Sequence, residues 1–141
     1  MLFLAQTDTT IGFLSKDREK INQAKQRDNQ KTLLEVSSLK CLKDFVRVPQ
    51  KHKNLIRRSS KTTFIYPNGK AIRVIKDPLH LRFLTPFQWL YSSSANLTKE
   101  QYNPSFAFEK AEVVIQDKRG LFQAQASKIL RLNRHKQKRI R

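Results

Sequence analysis

The stretch from Phe3 to Lys31 constrains the fold most, because it prescribes several local structures in a fixed order. Phe3, Leu4 and Ala5 form a short apolar run and predict a strand beginning almost at the first residue. Thr7, Asp8, Thr9 and Thr10 follow. Their side-chain oxygens compete with the backbone for hydrogen bonds and so favour a turn. Gly12 permits positive φ or close approach by another backbone. Ser15 or Asp17 then caps a helix running to about Lys25, with Ile21 and Ala24 on its buried side. Lys25, Arg27 and Lys31 close the stretch with three cations. Strand, hydroxyl-rich turn, helix and cations together describe an anion-binding corner, with the anion left open.

The remaining chain continues the alternation. Leu33, Leu34 and Val36 suit a strand, and Ser37 or Ser38 caps a helix carrying Leu39, Leu42 and Phe45 inward. Pro49 to Lys53 reads as a basic connector, with one helical turn over Asn54 to Arg58. Thr62–Tyr66 and Ala71–Ile75 flank Pro67-Asn68-Gly69, a strong turn signal, and predict a β-hairpin. Pro78 to Leu84 suits a short helix with Leu79 and Phe83 inward. Trp89 to Ser94 reads as a strand, Phe106 to Lys110 as a helix and Glu112 to Ile115 as a strand. Ser127 to Leu132 fits either a strand or the start of a helix. From Arg134 the chain is mostly basic and is expected to be frayed or extended. This alternation predicts a mixed α/β (α+β) layer structure in one domain over 1–133, with a basic tail over 134–141.

The 141 residues carry a formal net charge of +18, from 29 Lys and Arg against 11 Asp and Glu. Such a surplus favours polyanionic partners such as RNA, DNA or nucleotides. A single cysteine, Cys41, excludes an intrachain disulfide and argues against a cysteine metal site. His52, His80 and His135 are scattered, none with a partner at metal-ligand spacing, so no protein-bound metal is expected. Three glycines are too few for a Walker or Rossmann phosphate loop. The sequence has no long apolar segment and no signal-peptide pattern, so the expected compartment is the cytoplasm, with no membrane partner.

Four groups carry candidate chemistry, each with a plainer alternative. Lys25, Arg27 and Lys31 supply a planar fork and mobile point charges for phosphate or carboxylate, or else form a solvated basic helix end. Thr7 to Thr10 bind a small polar ligand or simply close a turn. Ser92, Ser93, Ser94 and Asn96 stand at a strand end, where open α/β sheets bind ligands, or else cap the next segment. Arg134, Lys136, Lys138, Arg139 and Arg141 form a polyanion-binding arm or a solubilising end.

In order, these pieces resemble the YrdC-like family, the threonylcarbamoyl-adenylate synthases of tRNA modification. Gln6-Thr7-Asp8-Thr9-Thr10-Ile11-Gly12-Phe13 is similar to the family's Pro-Thr-Asp-Thr-x-Tyr-Gly-Leu. Lys25, Arg27 and Lys31 match its Lys-x-Arg and following Lys. Thr63 is retained from its Pro-Gly-Pro-x-Thr segment, and Ile72-Arg73 resembles its Val-Arg strand. Ser94-Ala95-Asn96 matches its Ser-Ala-Asn, and Ala126-Ser127-Lys128 resembles a later Pro-Ser-Thr. Ile11 stands in place of the family's Tyr.

The resemblance, over about residues 3–132, implies an open twisted mixed β-sheet flanked by helices. It implies a nucleotidyltransferase joining L-threonine, bicarbonate and ATP, assisted by Mg²⁺, for the threonylcarbamoyladenosine modification of tRNA. By it, Lys25 and Arg27 are catalytic, and Thr9, Arg27 and Lys31 bind threonine. Lys25, Lys31, Thr63, Arg73, Ser94, Asn96 and Ser127 bind the nucleotide. Other tRNA-modification proteins are expected partners. The alternative is a non-catalytic YrdC-like protein that binds double-stranded RNA or tRNA.

Overall fold

The computed structural model describes residues 1–141. In chain order its elements are β1 (Phe3–Gln6), β2 (Ile11–Ser15), α1 (Arg18–Ala24), β3 (Leu33–Val36), α2 (Leu39–Leu42) and α3 (Lys53–Arg58). They continue with β4 (Thr62–Ile65), β5 (Ala71–Val74), α4 (Pro78–Leu84), β6 (Trp89–Ser94), α5 (Pro104–Lys110), β7 (Val113–Ile115), β8 (Lys128–Leu132) and β9 (Gln137–Arg139). The chain divides into two compact units, Met1–Thr32 with Leu90–Ala126, and Leu33–Trp89 with Ser127–Arg141. Both contain parallel and antiparallel pairings, so the expected mixed α/β class holds.

In the first unit the strand order is β7-β1-β2-β6. β1 runs parallel to β7 and antiparallel to β2, and β2 is antiparallel to β6. The Thr7–Thr10 turn therefore leads into a second strand before the helix, which corrects the expected passage from turn to helix. All five residues of β2 are buried, and a strand covered on both faces lacks the alternation by which strands are read. Asp17 caps α1, accepting a hydrogen bond from Glu19 N at 2.9 Å. Ile21 and Ala24 then join Leu4, Ile11 and Phe13 in the core.

In the second unit the order is β3-β5-β4-β8-β9. β4 and β5 form the expected hairpin, turned by Gly69 at φ 86°. Residues 128–132 settle as a strand, parallel to β4. The basic end is not frayed along its length: β9 pairs antiparallel with β8, Leu132 opposite Gln137 and Leu130 opposite Arg139. Backbone bonding carries that pairing, so the basic side chains gave no signal of it.

Two inward faces also differ from expectation. Leu39 is 37% exposed while Cys41 and Leu42 are buried. α4 buries His80 and Leu84, with Leu79 and Phe83 only half-buried. Both pairs lie four residues apart, so periodicity alone does not choose between them. His80 finds a buried carboxylate partner, described below. No helix is long and apolar enough to cross a membrane.

Candidate anion-binding site

α1 ends where its chemistry begins. Lys25 occupies the C-cap and is only 4% exposed. Its Nζ donates to Ser93 Oγ and to the Ser94 carbonyl, both at 2.8 Å, and to Ser94 Oγ at 3.5 Å. Arg27 Nε donates to Asn22 Oδ1 at 2.9 Å, and its NH2 reaches Ser93 Oγ at 3.5 Å. Burial, reinforced by the neighbouring Arg27 charge, lowers the Lys25 pKa to about 8. Burial also lowers that of Arg27. Two cations thus converge on one serine in a partly dehydrated place, an arrangement whose repulsion a bound anion would relieve.

The surrounding backbone is arranged for this convergence. A Cβ on Gly12 would lie 3.1 Å from the Ser93 carbonyl oxygen and 3.2 Å from Thr7 Cγ2. Glycine thus lets β2 pass close to the serines. Thr7 Oγ1 accepts from Thr9 N at 3.1 Å and donates to the Thr10 carbonyl at 2.6 Å. Thr9 Oγ1 lies 3.2 Å from Thr7 Oγ1. Asn96 Nδ2 donates to the Leu97 and Glu100 carbonyls at 2.8 and 2.7 Å, closing the loop after β6. Lys31 is exposed and makes none of the contacts with Ser93 that Lys25 and Arg27 make.

The second unit holds a separate polar chain. Thr63 Oγ1 and Ser127 Oγ are 2.8 Å apart, and Arg73 NH1 donates to Thr63 Oγ1 at 3.4 Å. Arg73 NH2 meets Glu35 Oε1 at 2.6 Å, and Glu35 Oε2 lies 2.6 Å from His80 Nε2. All five residues are at least nine-tenths buried. Arg141 joins from the chain end, donating through Nε to the Ser127 carbonyl at 2.9 Å and through NH2 to Ser127 Oγ at 3.2 Å. Burial, and secondarily the charge of Arg73, lowers its pKa.

The expected residues therefore fall into groups. Lys25, Arg27 and Ser94 come together in the first unit, and Thr63, Arg73 and Ser127 in the second. Arg141 departs from the other tail cations to join Ser127. Arg134, Lys136, Lys138 and Arg139 remain exposed along the β8–β9 hairpin. Sequence reasoning missed Glu35 as the partner of Arg73 and His80 as the second partner of Glu35, and it named Ser93 only within the group Ser92, Ser93, Ser94 and Asn96. The β2–β6 register, Phe13 opposite Ser93, identifies that serine only once β2 is known to be a strand. No three His, Cys, Asp or Glu side chains converge to hold a metal ion.

No family model and no curated protein matches the sequence. Solved structures do match. P. abyssi Sua5 complexed with L-threonine aligns at a TM-score of 0.81 with 17% identity, over 99% of this chain and 49% of that one. E. coli YciO aligns at 0.77 with 15% identity, over 99% and 82%. Full-length HypF in a phosphate- and nucleotide-bound form aligns at 0.76 with 14% identity, over 99% and 26%. The chain thus spans about half the length of the Sua5 structure. Over nearly all of its residues, this chain has the YrdC-like fold of Sua5 and YciO.

Proposed function

We propose that the chain is the adenylate-forming domain of an L-threonylcarbamoyladenylate synthase serving tRNA modification. The observation carrying this reading is the convergence of buried Lys25 and half-buried Arg27 on Ser93, with Lys25 also donating to Ser94. Such a pair suits a step in which charge builds on phosphoryl and carboxylate oxygens and no covalent protein intermediate is needed. L-threonine and bicarbonate condense to a carbamate with loss of water. A carbamate oxygen then attacks the α-phosphorus of ATP, and the bond to the β-phosphate breaks, releasing pyrophosphate. Lys25 and Arg27 hold the phosphates and the threonine carboxylate, Thr9 contacts threonine, and Lys31 attracts the anions from the surface. In the first unit Ser94 and Asn96 bind the nucleotide. In the second unit Thr63, Arg73 and Ser127 are the residues that the family resemblance assigns to nucleotide, with the Arg141 guanidinium at Ser127.

The relatives' bound molecules support the reading, since L-threonine accompanies Sua5 and nucleotide accompanies HypF. Titration calorimetry tests it: ATP and L-threonine bind the wild type, and Lys25→Ala abolishes ATP binding while the thermal transition persists. Normal ATP binding by folded Lys25→Ala and Asn96→Ala proteins would refute the site assignment.

A further inference from the structure

In the first unit the chain from Asp117 to Ala124 forms neither helix nor strand, and the proposed chemistry makes no use of it. It begins with a bend that its residues prescribe. Asp117 Oδ1 accepts from Arg119 N at 2.9 Å. Gly120 takes φ 76°, and its N–H donates to the Asp117 carbonyl at 3.1 Å. An aspartate that bonds its own backbone two residues on, and a glycine in the left-handed region, suit such a turn. The bend aims Arg119 at the end of β1. Asp117 grips the guanidinium, with Nε 3.0 Å from Oδ1 and Nη2 2.6 Å from Oδ2. The same guanidinium donates through Nη1 to the Thr7 carbonyl and through Nη2 to the Gln6 carbonyl, both at 3.0 Å. Further bonds complete the fastening. Phe122 N donates to Gln6 Oε1 at 2.9 Å, Ile11 N to the Phe122 carbonyl at 3.3 Å, and Ala124 N to Thr10 Oγ1 at 2.9 Å. The Thr7–Thr10 turn is thus held from outside at both its ends.

These ties decide which threonine can meet a ligand. Thr10 Oγ1 is drawn to Ala124, and Thr7 Oγ1 is committed within the turn, accepting from Thr9 N and donating to the Thr10 carbonyl. With the Thr7 hydrogen so placed, Thr9 is the donor in its 3.2 Å contact with Thr7 Oγ1, and its lone pairs face a ligand's N–H or O–H. We propose that Arg119 is a positioning residue for amino-acid recognition, acting through the Thr9 hydroxyl. This role rests on the synthase reading, in which Thr9 contacts threonine. Gln6 and Thr7 are buried, so their carbonyls need donors within the protein. One planar guanidinium serves both while a carboxylate fixes its plane. Lysine offers a point charge in place of that fork. Without the fork the turn shifts and carries Thr9 away from the amino acid. Lys25 and Arg27 are held by Asn22, Ser93 and Ser94 instead, so ATP binding is left intact.

The test is steady-state pyrophosphate release with L-threonine varied at saturating bicarbonate and Mg-ATP, alongside ATP affinity by calorimetry. Arg119→Lys raises the threonine KM at least about tenfold, while kcat and the ATP Kd stay within about twofold of wild type. Thr9→Ala raises the same KM, and adding Arg119→Lys to it causes no further rise, because both changes act through one hydrogen bond. A residue that only held the fold together would lower kcat and ATP affinity as well, and its effect would multiply with that of Thr9→Ala. Asp117→Asn loosens the guanidinium without replacing it. It gives the same selective rise, which keeps the role testable should the lysine variant misfold. Unchanged threonine KM in Arg119→Lys and Asp117→Asn, or effects that multiply with Thr9→Ala, overturns the role of Arg119 alone. A wild type without threonine-dependent pyrophosphate release overturns the synthase reading, and the role of Arg119 with it.

Discussion

Lys25 shows how a single residue couples stability to binding here. Unfolded, its ammonium titrates near 10.5; folded, near 8. Below about 8 both states hold the proton, and burial weighs against folding by ~3 kcal/mol. Between about 8 and 10.5 the folded chain releases its proton first, so this residue's contribution to stability rises with pH across that window. An anion seated beside Lys25 raises its pKa again. ATP binding at pH 8 should therefore take up about half a proton, measured as calorimetric heats that differ between buffers of different ionisation enthalpy. Lys25→Met should abolish the difference; a wild type with identical heats in both buffers would contradict the role. Gly12 makes a steric prediction. Gly12→Ala forces a Cβ against Ser93 O and Thr7 Cγ2, and should lower stability in urea by ~1–3 kcal/mol while weakening ATP binding. Unchanged urea stability would show that β2 and β6 can separate freely. Lys25, Arg27, Thr9 and Gly12 were legible because each stands beside a turn or helix end with its own local signal. Ser93 was legible only as one of a run of serines, since its convergence with Lys25 and Arg27 depends on contacts remote in sequence.

At the level of elements, the strand most open to test is β3. It presents Glu35 to Arg73 of β5 and His80 of α4 in a nearly dry place. Removing one partner of such a pair leaves a buried charge uncompensated. Glu35→Gln should therefore cost ~3–5 kcal/mol in denaturant unfolding. The Glu35→Leu, Arg73→Met double variant should recover much of that loss while still failing to bind nucleotide. A Glu35→Gln protein as stable as the wild type would show that the pair contributes little. β9 makes a second prediction. Deleting residues 134–141 removes the strand beside β8 along with Arg141. It should lower the unfolding midpoint and weaken ATP binding, whereas a merely solubilising tail would change neither. The hairpin β4–β5 was legible because Pro67-Asn68-Gly69 demands a turn whatever surrounds it. β2 and β9 were hidden for opposite reasons: one is buried on both faces, and the other has every residue exposed. Neither shows the two-residue alternation by which half-buried strands are read.

Across the whole molecule, the likeness to Sua5 and YciO establishes the fold, while chemistry rests on which side chains converge within each unit. The motifs Gln6 to Phe13, Lys25-x-Arg27 and Ser94-Ala95-Asn96 all fall in the first unit, which accounts for how much of that unit's site the sequence disclosed. In the second unit Thr63, Arg73 and Ser127 carry weaker motifs, and Glu35 beside Arg73, His80 beside Glu35 and Arg141 beside Ser127 are remote in sequence. The net charge of +18 describes partners rather than the reaction. The central claim is therefore tested most directly by pyrophosphate release from Mg-ATP in the presence of L-threonine and bicarbonate, each omitted in turn. The account predicts release that requires both co-substrates and is lost in Lys25→Ala. Release independent of threonine and bicarbonate, or none from a folded protein supplied with all three, would contradict it.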